Sequence, residues 1–184
     1  MAATGEIAPG LHAVRAFGVD EVAEIVLAIV ASGAAWEAAT INKDQAVDRA
    51  VRDADVLDEV AERALIRRCS DRLFAATRGI AARFVPFSLL AEVQIVRYQP
   101  GGKFVDHRDS PAAGAGPRAL SLVCYLNDDF EGGATVFPEL SATVQPASGI
   151  AIVFAPEVLH RAEPVIGGTK FALTAWYHTP ATGR

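Results

Sequence analysis

The sequence predicts a mainly β fold with helical support (α+β): a double-stranded β-helix, or jelly roll, with N-terminal helices packed on one sheet. Three observations lead there. Apolar residues in the early part recur at steps of three and four, the period of a helix with one buried face. Near Pro86 the pattern changes to short β-like runs. Turn signals then separate those runs at even spacing, as in all-β sandwiches and barrels. The 184 residues read as one domain, with helical support over about 1–85 and a jelly-roll core over about 86–180.

The first helix is expected to start at the acidic pair Asp20 and Glu21. Val22, Ile25, Val26, Ile29 and Val30 follow at helical spacing, and Gly33 is a plausible stop. Thr40 to Asp55 is polar and broken, and reads as a loop. A second helix is expected from about Asp55 to about Phe84, with Leu57, Ala61, Ala64, Leu65, Leu73, Ala76 and Ile80 on its apolar face. The strand-like runs are Ala91–Tyr98, Lys103–His107, Ala119–Leu126, Ala134–Phe137, Gly149–Phe154 and Lys170–His178. Between them lie Pro100-Gly101-Gly102, Asn127-Asp128-Asp129, Gly132-Gly133 and Gly167-Gly168, residues that favour turns.

Composition narrows the function. Hydrophobic residues make up 51% of the chain, enough for a substantial core. The net charge of −5 argues against a nucleic-acid partner, because phosphate binding needs a basic face. No run of apolar residues is long enough to span a membrane, and the N-terminus lacks the pattern of a signal peptide. The two cysteines, Cys69 and Cys124, have no His or Cys at zinc-ligand spacing. Both read as packing residues in a reducing, cytoplasmic setting.

The chemistry rests on few groups. Of four histidines, His12 and His178 read as surface or structural. His107 and Asp109 form His-x-Asp, and on a strand residues two apart share a face. With one remote histidine, such as His160, they would complete a 2-His-1-carboxylate triad. That triad covers one face of an iron(II) octahedron and leaves three positions open. Taken singly, His-x-Asp reads as a surface or structural pair and His160 as a structural histidine. Lys170 opens an apolar strand and shares its face with Ala172, Thr174 and Trp176. It either ends that strand in solvent or, if buried, needs an anion to offset its charge.

Read together, these residues resemble the prolyl 4-hydroxylase-like branch of the iron(II)/2-oxoglutarate oxygenases. The resemblance covers roughly Ala91 to Thr179. It is carried by Arg97-Tyr98-Gln99-Pro100-Gly101-Gly102, His107-Arg108-Asp109, Leu120-Ser121-Leu122-Val123-Cys124-Tyr125-Leu126-Asn127 and Phe130-Glu131-Gly132-Gly133-Ala134-Thr135. It closes with His160-Arg161-Ala162-Glu163-Pro164-Val165, Gly168-Thr169-Lys170 and Trp176. It implies that His107, Asp109 and His160 ligate iron and that Lys170 pairs with the far carboxylate of 2-oxoglutarate. Tyr98 would line the co-substrate pocket, Tyr125 would donate to the same carboxylate, and Thr135 would occupy the inward position after the double glycine. Arg118 would touch substrate.

The resemblance also implies O2 as oxidant, with ascorbate as a candidate reductant. The expected reaction couples oxidative decarboxylation of 2-oxoglutarate to hydroxylation of an aliphatic C–H. The expected substrate is a prolyl or peptidyl residue, a free amino acid or another small molecule. The Thr40–Asp55 stretch and the Asp109–Arg118 loop are the expected lids. Two rival readings keep the fold. One is a metal-dependent dioxygenase or isomerase that does not use 2-oxoglutarate, and the other is a binding module without catalysis. Oligomeric state is not legible.

Overall fold

A computed structural model of the chain describes residues 4–33, 35–41, 46–85, 89–110 and 118–179. The fold is mainly β, with two helices and antiparallel sheets. The early strands are β1 (Gly5–Ala8), β2 (Leu11–Arg15), β3 (Trp36–Ala38), β4 (Arg52–Asp53) and β5 (Asp55–Leu57). Helices α1 (Val19–Ala31) and α2 (Arg63–Phe84) lie among them. Next come β6 (Leu89–Tyr98), β7 (Lys103–His107), β8 (Arg118–Tyr125), β9 (Glu131–Gly132) and β10 (Thr135–Phe137). The chain ends with β11 (Ala142–Val144), β12 (Ile150–Phe154), β13 (His160–Ala162), β14 (Val165–Gly167) and β15 (Lys170–His178).

A large sheet has the order β1-β2-β12-β8-β15-β6-β5-β3. A smaller one runs β11-β10-β13-β7-β4, and β14 pairs with β9 alone. β15 is near the centre of the large sheet, between β8 and β6. One face of that sheet meets the helices. Ile25 and Ile29 of α1 and Ile66, Cys69 and Leu73 of α2 share a core with Ile95, Leu122, Cys124, Leu173, Ala175 and Tyr177. The other face meets the small sheet, where Tyr125, Phe137, Ile152 and Phe154 pack together. Strand alternation thus divides β15 between two environments.

Several boundaries differ from expectation. The second helix begins at Arg63, not Asp55, because Asp55–Leu57 is a strand paired with both Trp36–Ala38 and β6. Its apolar residue Leu57 serves the sheet side of the same core. The first half is therefore not mostly helical: it supplies five strands that extend both sheets. These strands are two to five residues long. Such short runs acquire their conformation from partners remote in sequence, which local periodicity does not reveal. The polar Thr40–Asp55 stretch holds β4 at its end, and its residues 42–45 lie outside the described residues, as do residues 111–117 of the second expected lid.

Cys69 and Cys124 are free and fully buried, as packing residues. Burial pushes the Cys69 thiol up to about 11. His12 is buried against Phe84, with ring centroids 5.3 Å apart.

Leu173 is 0% exposed on the helix-facing side of β15. Leu173→Ala is expected to cost about 2–5 kcal/mol of stability, read by calorimetry or denaturant unfolding.

Candidate active site

His107 ends β7 and His160 opens β13; the two are Cα partners across that pair. Their ring centroids stand 4.2 Å apart. Asp109 follows His107 by two residues. One ligand atom from each of the three lies within 4.8 Å of the others. His107 Nε2 is 3.6 Å from Asp109 Oδ1, and His160 Nε2 is 3.9 Å from Oδ2.

Local bonds set the imidazole tautomers. His107 Nδ1 donates to the Val105 carbonyl at 2.8 Å, and His160 Nδ1 to the Val158 carbonyl at 3.0 Å. Each Nε2 then presents its lone pair to the shared centre, the arrangement a metal-binding histidine needs. Burial and the neighbouring His107 lower the His160 pKa, favouring the neutral ligand form. Phe104 stacks on His107 at 3.5 Å, and Phe154 meets His160 edge-on at 4.7 Å. The rings have little room to turn.

Asp109 is held from the large sheet. Ser121 Oγ donates to its Oδ2 at 2.6 Å and Trp176 Nε1 donates to the same oxygen at 2.9 Å. Ser121 and Trp176 are Cα partners on β8 and β15, so one rung of the sheet orients the carboxylate. Oδ1 keeps its lone pairs for the centre. Burial opposes ionisation of Asp109, but in the metal-free site His107 and His160 when protonated, together with the Ser121 hydroxyl, outweigh it and hold the carboxyl below its ordinary range. Two neutral imidazoles and one carboxylate fit a divalent transition metal with open positions. Which groups orient Asp109 was not anticipated, although Ser121 shares the inward parity of Tyr125 and could have been suspected.

Lys170 is 2% exposed and does not end its strand in solvent. Its Nζ donates to the Gly133 carbonyl at 2.6 Å and lies 5.2 Å and 5.4 Å from the ring centroids of Tyr98 and Tyr125. Burial pushes its pKa down to about 8. An ammonium has three donors, and the carbonyl uses one. An anion's carboxylate would satisfy the others and offset the buried charge. Gly133 has φ +66°, and a Cβ there would approach the Phe130 ring to 2.9 Å and Lys170 Cδ to 3.2 Å. The double glycine is thus a cradle for the lysine stem. Tyr125 is fully buried and its hydroxyl donates to Thr135 Oγ1 at 2.8 Å. Burial raises the pKa values of both Tyr98 and Tyr125, so both remain neutral donors.

Arg118 lies over the Trp176 ring at 3.7 Å and pairs with Glu92. Glu92 has φ +50° at a bulge in the β6–β15 pairing and also meets His178 Nε2 at 3.0 Å. This bulge carried no signal in the strand-like run. His12 and His178 stand outside the triad.

A model of the 2OG-Fe(II) oxygenase superfamily matches residues 93–178. A protein of Acanthamoeba polyphaga mimivirus is 32% identical over 113 residues, covering 50% of this chain and 47% of that protein. Human prolyl 4-hydroxylase subunit alpha-1 is 35% identical over 109 residues, which cover 50% of this chain and 20% of the subunit. The chain therefore spans less than half the length of these curated relatives. The crystal structure of a Pseudomonas putida prolyl-4-hydroxylase superposes with a TM-score of 0.66 at 19% identity, covering 94% of each chain. A viral collagen prolyl hydroxylase from Paramecium Bursaria Chlorella virus-1 superposes at 0.65 with 20% identity, covering 95% of this chain and 100% of that one. At such identity the structural likeness is one of fold. The matched stretch is a domain of the 2OG-Fe(II) oxygenase superfamily. Within that class its curated relatives and structural neighbours include proteins named prolyl 4-hydroxylases.

Trp176→Phe and Ser121→Ala each remove one donor to Asp109. Each is expected to weaken iron(II) affinity about 10- to 100-fold, read by anaerobic metal titration, with the far-UV circular dichroism spectrum unchanged.

Proposed function

We propose that the chain is an iron(II)- and 2-oxoglutarate-dependent hydroxylase of aliphatic C–H bonds. The observation that carries this reading is a buried, singly bonded lysine in the same inter-sheet space as a converged His-Asp-His set. His107, Asp109 and His160 would hold iron(II), and the fit of the donors supports this. Lys170, with Tyr125 and Tyr98, would hold the far carboxylate of 2-oxoglutarate. When bound, the metal supplies O2 activation coupled to decarboxylation of the co-substrate to succinate and CO2.

The protein's part is placement. The Nδ1 bonds keep both imidazoles in the ligating tautomer. Ser121 and Trp176 keep Asp109 ionised and aimed. Lys170 supplies a buried positive charge at the anion end. The apolar walls of Phe137, Phe154 and Phe104 exclude water from the reacting face. Thr135 Oγ1 accepts the Tyr125 hydroxyl's hydrogen bond when no carboxylate is present, and Tyr125 would turn that donor to the anion.

The proposed substrate is a prolyl or peptidyl residue, a free amino acid or another small molecule. Prolyl hydroxylases among the structural neighbours support the first; one of these was solved with a hypoxia inducible factor peptide fragment. Arg118, at the rim over Trp176, is the proposed substrate contact. Ascorbate is the proposed reductant. We further propose a single oxygenase domain in a reducing, cytoplasmic setting, which two buried free cysteines support.

The first test is the anaerobic visible spectrum with iron(II). A weak metal-to-ligand charge-transfer band is expected only when 2-oxoglutarate is also present. It should vanish in His107→Ala and weaken in Lys170→Ala; iron binding without the band would overturn the 2-oxoglutarate assignment. A second prediction concerns pH. Lys170 in the free protein loses its proton near 8, whereas the bound dianion requires the ammonium. Above pH 8 binding must therefore take up a proton, and affinity for 2-oxoglutarate should fall up to tenfold per pH unit. Lys170→Arg, which stays charged, should flatten that slope.

A further inference from the structure

Among the described residues one lysine and one arginine are buried, Lys170 and Arg52. Lys170 serves the anion end of the proposed site. Arg52 is 8% exposed and comes from β4, the edge strand of the small sheet. Its Cα partner is Phe104 of β7, and its guanidinium stands 5.1 Å from the centre of that ring. The same ring stacks on His107. Arg52 is thus one aromatic ring removed from a proposed metal ligand. It also adjoins the Tyr98 hydroxyl: burial raises that group's pKa, and the guanidinium opposes the rise. This is the open side of the triad. The His107 side chain is 19% exposed, against 6% for that of His160. The Lys170 end is sealed from solvent.

A buried charge without a counter-charge is costly. Arg49, Arg97 and Arg118 each pair with a carboxylate. Among the described residues Arg52 pairs with none. One of its amino groups, Nη1, donates to the Thr40 carbonyl at 2.8 Å. Its Nε is buried and has no partner. Nε–H and the Nη2 amino group point the same way. They form a two-pronged edge, the geometry that receives a carboxylate side-on. The proposed metal and co-substrate do not supply that carboxylate. The charges of iron(II) and the Lys170 ammonium equal those of the Asp109 carboxylate and the 2-oxoglutarate dianion. The loaded centre is therefore neutral without Arg52, and O2 brings no charge. One positive charge is left on the open side, and the substrate is the component that meets it.

We propose that Arg52 holds the carboxylate of a small acidic substrate, free amino acids among that class, and so selects acids over their uncharged analogues. This inference rests on the hydroxylase reading above. The experiment uses the full chain with iron(II) and 2-oxoglutarate. Probes are the free amino acids and a set of short aliphatic carboxylic acids, each beside its primary amide, which keeps the shape and removes the charge. Two quantities are read: the anaerobic Tm, which a bound ligand raises, and succinate formation in air. At least one acid should raise both, and its amide should fall about tenfold or more behind in kcat/KM. Arg52→Gln should lose about tenfold or more in kcat/KM for that acid, lose the Tm rise, and no longer distinguish acid from amide. Arg52→Lys keeps the charge but not the fork, and should retain part of the preference. The 2-oxoglutarate affinity of Arg52→Gln, read from the charge-transfer band, should stay within about twofold of wild type. An amide or a blocked peptide that matches every acid on the wild-type protein would overturn the assignment without any variant. So would no response to any acid, or an unchanged acid preference in Arg52→Gln. A fall in the 2-oxoglutarate affinity of Arg52→Gln would also overturn it, by making Arg52 part of the co-substrate anchor. Absence of the charge-transfer band in the wild type would instead overturn the hydroxylase reading itself.

Discussion

Alternation along β15 is the constraint on which the rest depends. A strand has two faces and successive side chains must take them in turn. On one face Phe171, Leu173, Ala175 and Tyr177 join the core beneath the helices. On the other, Lys170, Thr174 and Trp176 look toward the small sheet. The register cannot slip by a residue without placing an ammonium against the helices and apolar side chains in the site. Stability and chemistry are thus specified by the same pairing, and the helix-side core fixes the positions of the polar groups opposite it.

The site itself joins two sheets. The small sheet brings His107 and His160 together by pairing β7 with β13. The large sheet brings the Ser121–Trp176 rung that receives Asp109. Neither sheet alone completes the constellation. Asp109 is the joint between them: its backbone continues from β7, and its carboxylate is bonded to β8 and β15. This explains why burial does not neutralise it. Its hydrogen bonds from Ser121 and Trp176, and positive charge held at the centre, repay the desolvation that the sandwich imposes.

Much of this was legible in the residues. Lys170–His178 alternates clearly, and its bounds in the structure are those expected. The two-residue spacing of His107 and Asp109 could also be read, whereas the burial of Lys170 followed only from the family resemblance, because a lysine opening a strand can equally end it in solvent. What could not be read depends on register between distant segments. Nothing local pairs Ser121 with Trp176, or puts the Gly133 carbonyl against Lys170. Glu92 looks like an ordinary strand residue until the bulge gives it a positive φ. The early strands escaped for the same reason: Asp55–Leu57 becomes a strand only because β6 offers an open edge.

The tautomers of the two imidazoles have a different origin from their convergence. Each Nδ1 proton is bonded to the carbonyl two residues earlier in its own chain segment. The choice of which nitrogen faces inward is therefore made within three residues, before any distant partner is in place. Convergence, by contrast, needs the whole sandwich. The site divides its specification accordingly: protonation is a local property of two short segments, and geometry a collective property of the fold. Changes in the loops connecting the strands can shift how well the donors meet without altering what each donor is.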